Sequence, residues 1–144
     1  MFDPDGVYAK LIKPRHRRMV ETVKSLTNGA KVCFHCCGSA YYFIDHLIDI
    51  GVDILNPVQV TAKNMEAERL KGEFGDRIAF WGGINTQRVL PFGTPDEVAT
   101  ETRRIMDILG KGGGYILNSV HNIQSEVPPE NVVAMFETGR AHHY

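Results

Sequence analysis

The chain predicts an α/β fold with a parallel sheet. Three observations carry this. Short apolar runs alternate with segments of helical periodicity, four times in succession behind one leading helix. Turn and cap residues separate the segments. The loops after the apolar runs carry more unusual residues than the loops before them, which is where α/β folds keep their ligands.

The elements follow in order. Met19, Val20, Val23 and Leu26 recur at helical spacing and predict a helix over 14–26, ended at Asn28-Gly29. Residues 31–35 read as a strand. Ser39 is placed to cap a helix with an apolar stripe of Phe43, Ile44, Leu47 and Ile48, closed by Gly51. A short strand over 52–55 is expected to stop at Asn56-Pro57. Thr61 is placed to cap a polar helix that runs to Phe74 and stops at Gly75. A third strand over 78–81 is expected to end at Gly82-Gly83. Thr94-Pro95-Asp96-Glu97 combines a cap, a proline at the first helical position and a capping-box glutamate, ahead of Val98, Ile105, Met106 and Leu109. Gly112-Gly113-Gly114 leads into a strand at Tyr115-Ile116-Leu117, and Pro128-Pro129-Glu130 opens a last helix with Val132, Val133, Met135 and Phe136.

At 144 residues the chain fits a single domain over 1–144, with 1–13 as an N-terminal extension. A net charge of −1 gives no basic excess for nucleic acid or anionic lipid. No apolar stretch is long enough to span a bilayer, and Met1 to Asp5 lacks a secretory start. Three cysteines within five residues, Cys33, Cys36 and Cys37, make a poor disulfide framework and point to a reducing cytoplasm.

The richest segment is His35-Cys36-Cys37-Gly38. Strand alternation puts His35 and Cys37 on one face and Cys36 on the other. An imidazole and a thiolate so placed are zinc ligands in waiting. The competing reading is a satisfied core histidine among small buried thiols. Cys33 shares the ligand face but is expected to lie deeper, in the core, and Cys36 is expected to pack. Asn56 and Gln59 after the second strand, and Asn85 and Gln87 after the third, offer amides to a ligand or to turn formation equally. His142-His143 reads as a disordered tail. Lys13, Arg15, Arg17 and Arg18 read as a solvated helix face, with a subunit contact as the alternative.

These landmarks, with Gly51-Val52-Asp53-Ile54-Leu55-Asn56-Pro57-Val58-Gln59, Phe80-Trp81-Gly82-Gly83-Ile84, Leu90-Pro91-Phe92-Gly93-Thr94-Pro95, Gly113-Gly114-Tyr115-Ile116, His121-Asn122-Ile123-Gln124 and Val127-Pro128-Pro129-Glu130-Asn131, resemble the uroporphyrinogen decarboxylase superfamily. That superfamily holds the decarboxylase of porphyrin (heme) biosynthesis, a lyase, and zinc-dependent corrinoid methyltransferases. The resemblance implies a parallel (β/α)4 half of a TIM (β/α)8 barrel, matching the family's carboxyl-terminal half. From the methyltransferase branch it implies zinc held by His35, Cys37 and His121, the last where that branch carries a cysteine. A corrinoid (cobalamin-type) methyl donor then passes its methyl to a zinc-activated thiol. From the decarboxylase branch it implies His121 as a catalytic contact to substrate carboxylates. Asn56, Gln59 and Gln87 are the expected substrate-binding residues. A third reading is a non-catalytic half-barrel. A half-barrel leaves two sheet edges and a face uncovered, so a homodimer or a partner half-barrel is expected.

Overall fold

A computed structural model describes residues 3–143. The first two residues of the expected non-secretory start lie outside that range. Four parallel strands form one sheet in the order β1-β2-β3-β4: β1 (Cys33–His35), β2 (Ile54–Val58), β3 (Ala79–Ile84) and β4 (Tyr115–Ser119). Helices alternate with them: α1 (Lys13–Leu26), α2 (Ile44–Asp49) behind a 3-10 turn at Tyr41–Phe43, α3 (Ala67–Phe74), α4 (Val89–Phe92), α5 (Pro95–Leu109) and α6 (Pro129–Ala141). This is an α/β half-barrel. Among the described residues no helix is long and apolar enough to cross a membrane.

Within the expected N-terminal extension over 1–13, Pro4–Ile12 form a π-helix. Tyr8 fastens it: the ring is buried edge-on to Phe43, its centroid 5.0 Å away, and the hydroxyl lies 3.3 Å from His16 Nδ1. The core lies between the sheet and the helices. Leu55, Phe80 and Ile84 from the strands meet Ile44, Leu47, Leu70, Ile105 and Leu109 from the helices, all essentially inaccessible. The Thr94 capping box forms as expected: the Thr94 hydroxyl accepts from Glu97 N, and the Glu97 carboxylate accepts from Thr94 N at 2.7 Å.

Several expected boundaries differ. Ser39 does not cap a helix; its hydroxyl donates to Lys63 O at 2.7 Å and ties two post-strand loops together. α3 starts at Ala67 rather than after Thr61, because Asn64 takes a left-handed conformation (φ 63°) and Met65 turns into the core. β2 continues through Asn56-Pro57 to Val58, and the β2–β3 register shifts between Leu55 and Val58, where Pro57 has no N–H to give the ladder. β3 continues through Gly82-Gly83 to Ile84. Cys33 is exposed, not core. Its face of the sheet is the inner wall of the half-barrel, and among the described residues no element lies across it. Of the α1 stripe only Val20 is buried, while Met19, Val23 and Leu26 stand in solvent. His142 is ordered at the end of α6, with Nε2 3.3 Å from Asp107 Oδ1.

Asp53 braces the edge of the sheet remote from the post-strand loops. Its carboxylate accepts from Val32 N at 2.8 Å and pairs with Lys24 at 2.9 Å and Lys31 at 3.5 Å. Burial works to raise its pKa, but these three partners outweigh burial and hold it below the ordinary carboxylate value. A carboxyl lowered in this way adds stability that is full above its unfolded pKa of about 3.9 and is lost as pH falls through the folded value. Asp53→Asn is therefore expected to cost roughly 1–3 kcal/mol at pH 7 and much less near pH 2. Urea titrations of both proteins at the two pH values check this; equal losses at both refute it.

Candidate functional site

The post-strand loops converge on one rim. His35 ends β1 there. Its Nδ1 lies 2.8 Å from Asn56 Oδ1, and its Nε2 lies 3.2 Å from Cys37 Sγ. An amide oxygen only accepts, so the ring proton belongs on Nδ1, which donates to Asn56 and leaves the Nε2 lone pair facing the sulfur. β1 and β2 fix this arrangement: His35 and Asn56 are register partners, and Cys36 N donates to Asn56 O at 2.7 Å. Cys36 alternates away and packs against the core, where burial first and the neighbouring Cys37 second push its thiol up. Gly38, at φ 81°, turns the loop, and its N–H donates to Gln59 Oε1 at 3.0 Å.

The donors His35 Nε2 and Cys37 Sγ fit a metal. A tetrahedral zinc about 2.1 Å from a nitrogen and 2.3 Å from a sulfur sets the two about 3.6 Å apart, a few tenths of an ångström from the observed separation. An Nδ1–H held by an amide oxygen is also the outer contact a ligating histidine uses. The third expected donor is not gathered with them: among the described residues no three His, Cys, Asp or Glu side chains come close enough to hold an ion. β1 and β4 are the two edges of the sheet, so the loop carrying His121 reaches the rim from the far side.

His121 nevertheless borders both hollows at the rim. One, of about 400 Å³, has Cys37, Gln59, Gln87, Phe92, His121 and Glu126 in its wall. The other, of about 580 Å³, opens on the inner face and has His35, Asn56, Trp81, Asn118, His121 and Ile123 in its wall. The Ser119 hydroxyl donates to His121 O at 2.6 Å and pins that loop. No lysine or arginine lines either hollow.

The structure divides the amides. Asn56 orients His35. Gln59 borders the first hollow with its oxygen already engaged by Gly38. Gln87 borders it too, and its backbone N–H donates to Asn85 Oδ1 at 2.7 Å. Asn85 is buried and makes a turn, accepting from Arg88 N at 2.8 Å as well. That turn opens α4, which the sequence reading missed and which delivers Pro91 and Phe92 to the rim. Asn85 two and three residues ahead of the amides it accepts from was the available signal.

A family model described as uroporphyrinogen decarboxylase (URO-D) matches residues 4–142. A curated uroporphyrinogen decarboxylase of Azoarcus sp. (strain BH72) is 33% identical over 78 residues, 54% of this chain and 21% of the relative. One from Burkholderia thailandensis is 27% identical over 141 residues, 96% of this chain and 36% of the relative. Among solved structures, a methyltransferase from Methanosarcina mazei superposes with a TM-score of 0.74 at 20% identity, covering 96% of this chain and 37% of that one. The chain thus spans little more than a third of the relatives it matches most fully.

Proposed function

This chain belongs to the uroporphyrinogen decarboxylase family, and from that premise we propose that it forms the thiol-activating wall of a zinc-dependent methyltransferase with a corrinoid as methyl donor. The observation that carries the reading is the His35 Nε2 to Cys37 Sγ approach of 3.2 Å, with His35 Nδ1 anchored on Asn56. Zinc held by His35 and Cys37 would supply the positive charge that keeps an acceptor thiol ionised at neutral pH, and His121 would join as a third donor only if its loop moved across the rim.

The chain's own groups do the rest. Asn56 fixes the tautomer of His35, so that in the neutral ring Nε2 carries the lone pair that faces Cys37. The Gly38–Gln59 hydrogen bond holds the loop that presents Cys37. Gln87 and Phe92 on the opposite wall bound the space in which an acceptor would sit beside Cys37, and His121 closes it from the β4 side. The fold of the Methanosarcina mazei methyltransferase is compatible with this assignment.

Decarboxylation of a tetrapyrrole is the second reading, favoured by the names of the curated relatives. It asks His121 to donate to substrate carboxylates. Against it, this wall presents no lysine or arginine to a polycarboxylate.

Elemental analysis after equilibrium dialysis separates the two. The protein is expected to retain about one zinc per chain, Cys37→Ser or His35→Ala to lose it, and Asn56→Ala to weaken it about 10–100-fold. Zinc-free wild-type protein, or full retention in Cys37→Ser, refutes the metal assignment. Chelator-resistant turnover of uroporphyrinogen would establish the second reading.

A further inference from the structure

The hollow beside Cys37 constrains the charge of what it can hold. Glu126 borders the same space of about 400 Å³ as Cys37, and no lysine or arginine does. Among the described residues Glu126 has no counter-ion. The chain fixes its place from behind. Val127, the next residue, is 7% exposed and packs in the core, and its N–H donates to Gln124 O at 3.1 Å.

The neighbours of Glu126 favour a positive charge as well. Gln124 donates its side-chain N–H to Asn122 O at 2.9 Å, which leaves its amide oxygen to accept. Phe92 borders the hollow with 81% of its surface exposed, and the face of an aromatic ring attracts cations. The adjoining hollow shares Thr61, Asn85 and Phe92 with this one. Its single cation, Arg88, stands among Asp96, Glu97 and Glu101. An anion entering beside Cys37 therefore meets like charge and no charged donor on this wall, within the range over which salt screens poorly.

We propose that the thiol methylated at this site is an aminothiol, whose ammonium group is held by the Glu126 carboxylate beside the Phe92 ring. The inference rests on the acceptor reading of this hollow and adds the acceptor's charge. On transfer the thiol proton goes to solvent and a sulfur lone pair forms the new S–C bond. The electron pair of the broken methyl–donor bond stays with the donor. The ammonium takes no part, so the product is a thioether of unchanged side-chain charge that fits the same wall.

Product-like thioethers test this. The isotope-labelled protein is titrated at pH 7 with (methylthio)ethylamine, (methylthio)ethanol and (methylthio)propionate, and binding is read from backbone amide shifts. In protein dialysed against chelator, the cation is expected to bind about fivefold or more tighter than the anion, with the neutral compound between them. In Glu126→Gln that ratio is expected to fall to within about twofold, with affinity for the neutral compound unchanged. Glu126 is exposed, so the variant keeps its fold. The same titrations on zinc-loaded protein are expected to show the same drop in the ratio on Glu126→Gln. Failure to retain zinc overturns the metal assignment and leaves this charge preference standing. Equal binding of the three compounds, tightest binding of the anion to the metal-free protein, binding of none, or a preference that survives Glu126→Gln each overturns the proposal.

Discussion

Asn131→Leu is expected to lower the stability of this chain by about 3 kcal/mol. Asn131 lies in the first turn of α6 and is 1% exposed. Its side-chain N–H groups donate to Leu90 O at 2.8 Å and Gly93 O at 2.7 Å. Those two carbonyls belong to α4 and the turn after it. Leucine has nearly the same volume but no donor, so two carbonyls are left unpaired at roughly 1–3 kcal/mol each, partly offset by added apolar burial. Urea unfolding measures the loss as a lower midpoint with an unchanged slope. Asn131→Asp is the sharper variant. A carboxylate facing two carbonyl oxygens is disfavoured in the folded state, so its pKa must rise there. The destabilisation is then smallest below the unfolded value of about 3.9 and grows as pH rises above it. A pH-independent loss in Asn131→Asp, or a loss under about 1 kcal/mol in Asn131→Leu, would show that α6 does not hold α4 through this side chain. The link bears on function because α4 carries Pro91 and Phe92 into the wall of the rim hollow.

How far the sequence could be read depends on whether a feature is decided locally. The helix over Pro95–Leu109 was legible to its first residue because Thr94, Pro95 and Glu97 satisfy the helix start among themselves. The proximity of His35 and Cys37 was legible because two residues near a strand end have few ways to diverge. The strand ends were not. Asn56-Pro57 and Gly82-Gly83 look like turns, yet both stay in the sheet, where neighbouring strands supply partners that local rules omit. The exposure of Cys33 was not legible, because strand alternation gives the face a residue shares and not whether that face is covered. The placement of His121 lies furthest from the sequence. Whether loops after β1 and β4 meet depends on the curvature of the whole sheet, to which no single segment attests.

Gly83 offers the most direct measurement of that sheet geometry. It continues β3 at φ 105°, a region side chains rarely enter, and an added Cβ would stand 3.0 Å from Ile105 Cγ2, 3.5 Å from Tyr115 Oη and 3.7 Å from Leu109 Cδ1. Ile105 and Leu109 are fully buried on α5, so neither can move aside cheaply. Gly83→Ala thus combines backbone strain of about 1–3 kcal/mol with crowding of similar size, and a total near 3 kcal/mol, or roughly a 10 °C fall in midpoint, is expected. The two contributions separate in a cycle with Ile105→Ala. Removing the γ carbons relieves the crowding and leaves the strain, so the double variant should be less damaged than the sum of the singles by about 1 kcal/mol or more. Strict additivity would mean that the conformation alone demands glycine here. A Gly83→Ala protein as stable as wild type would mean that β3 can relax into ordinary extended backbone. Its continuation past Gly82, which sets where the loop bearing Asn85, Gln87 and Phe92 begins, would then owe nothing to the glycine pair.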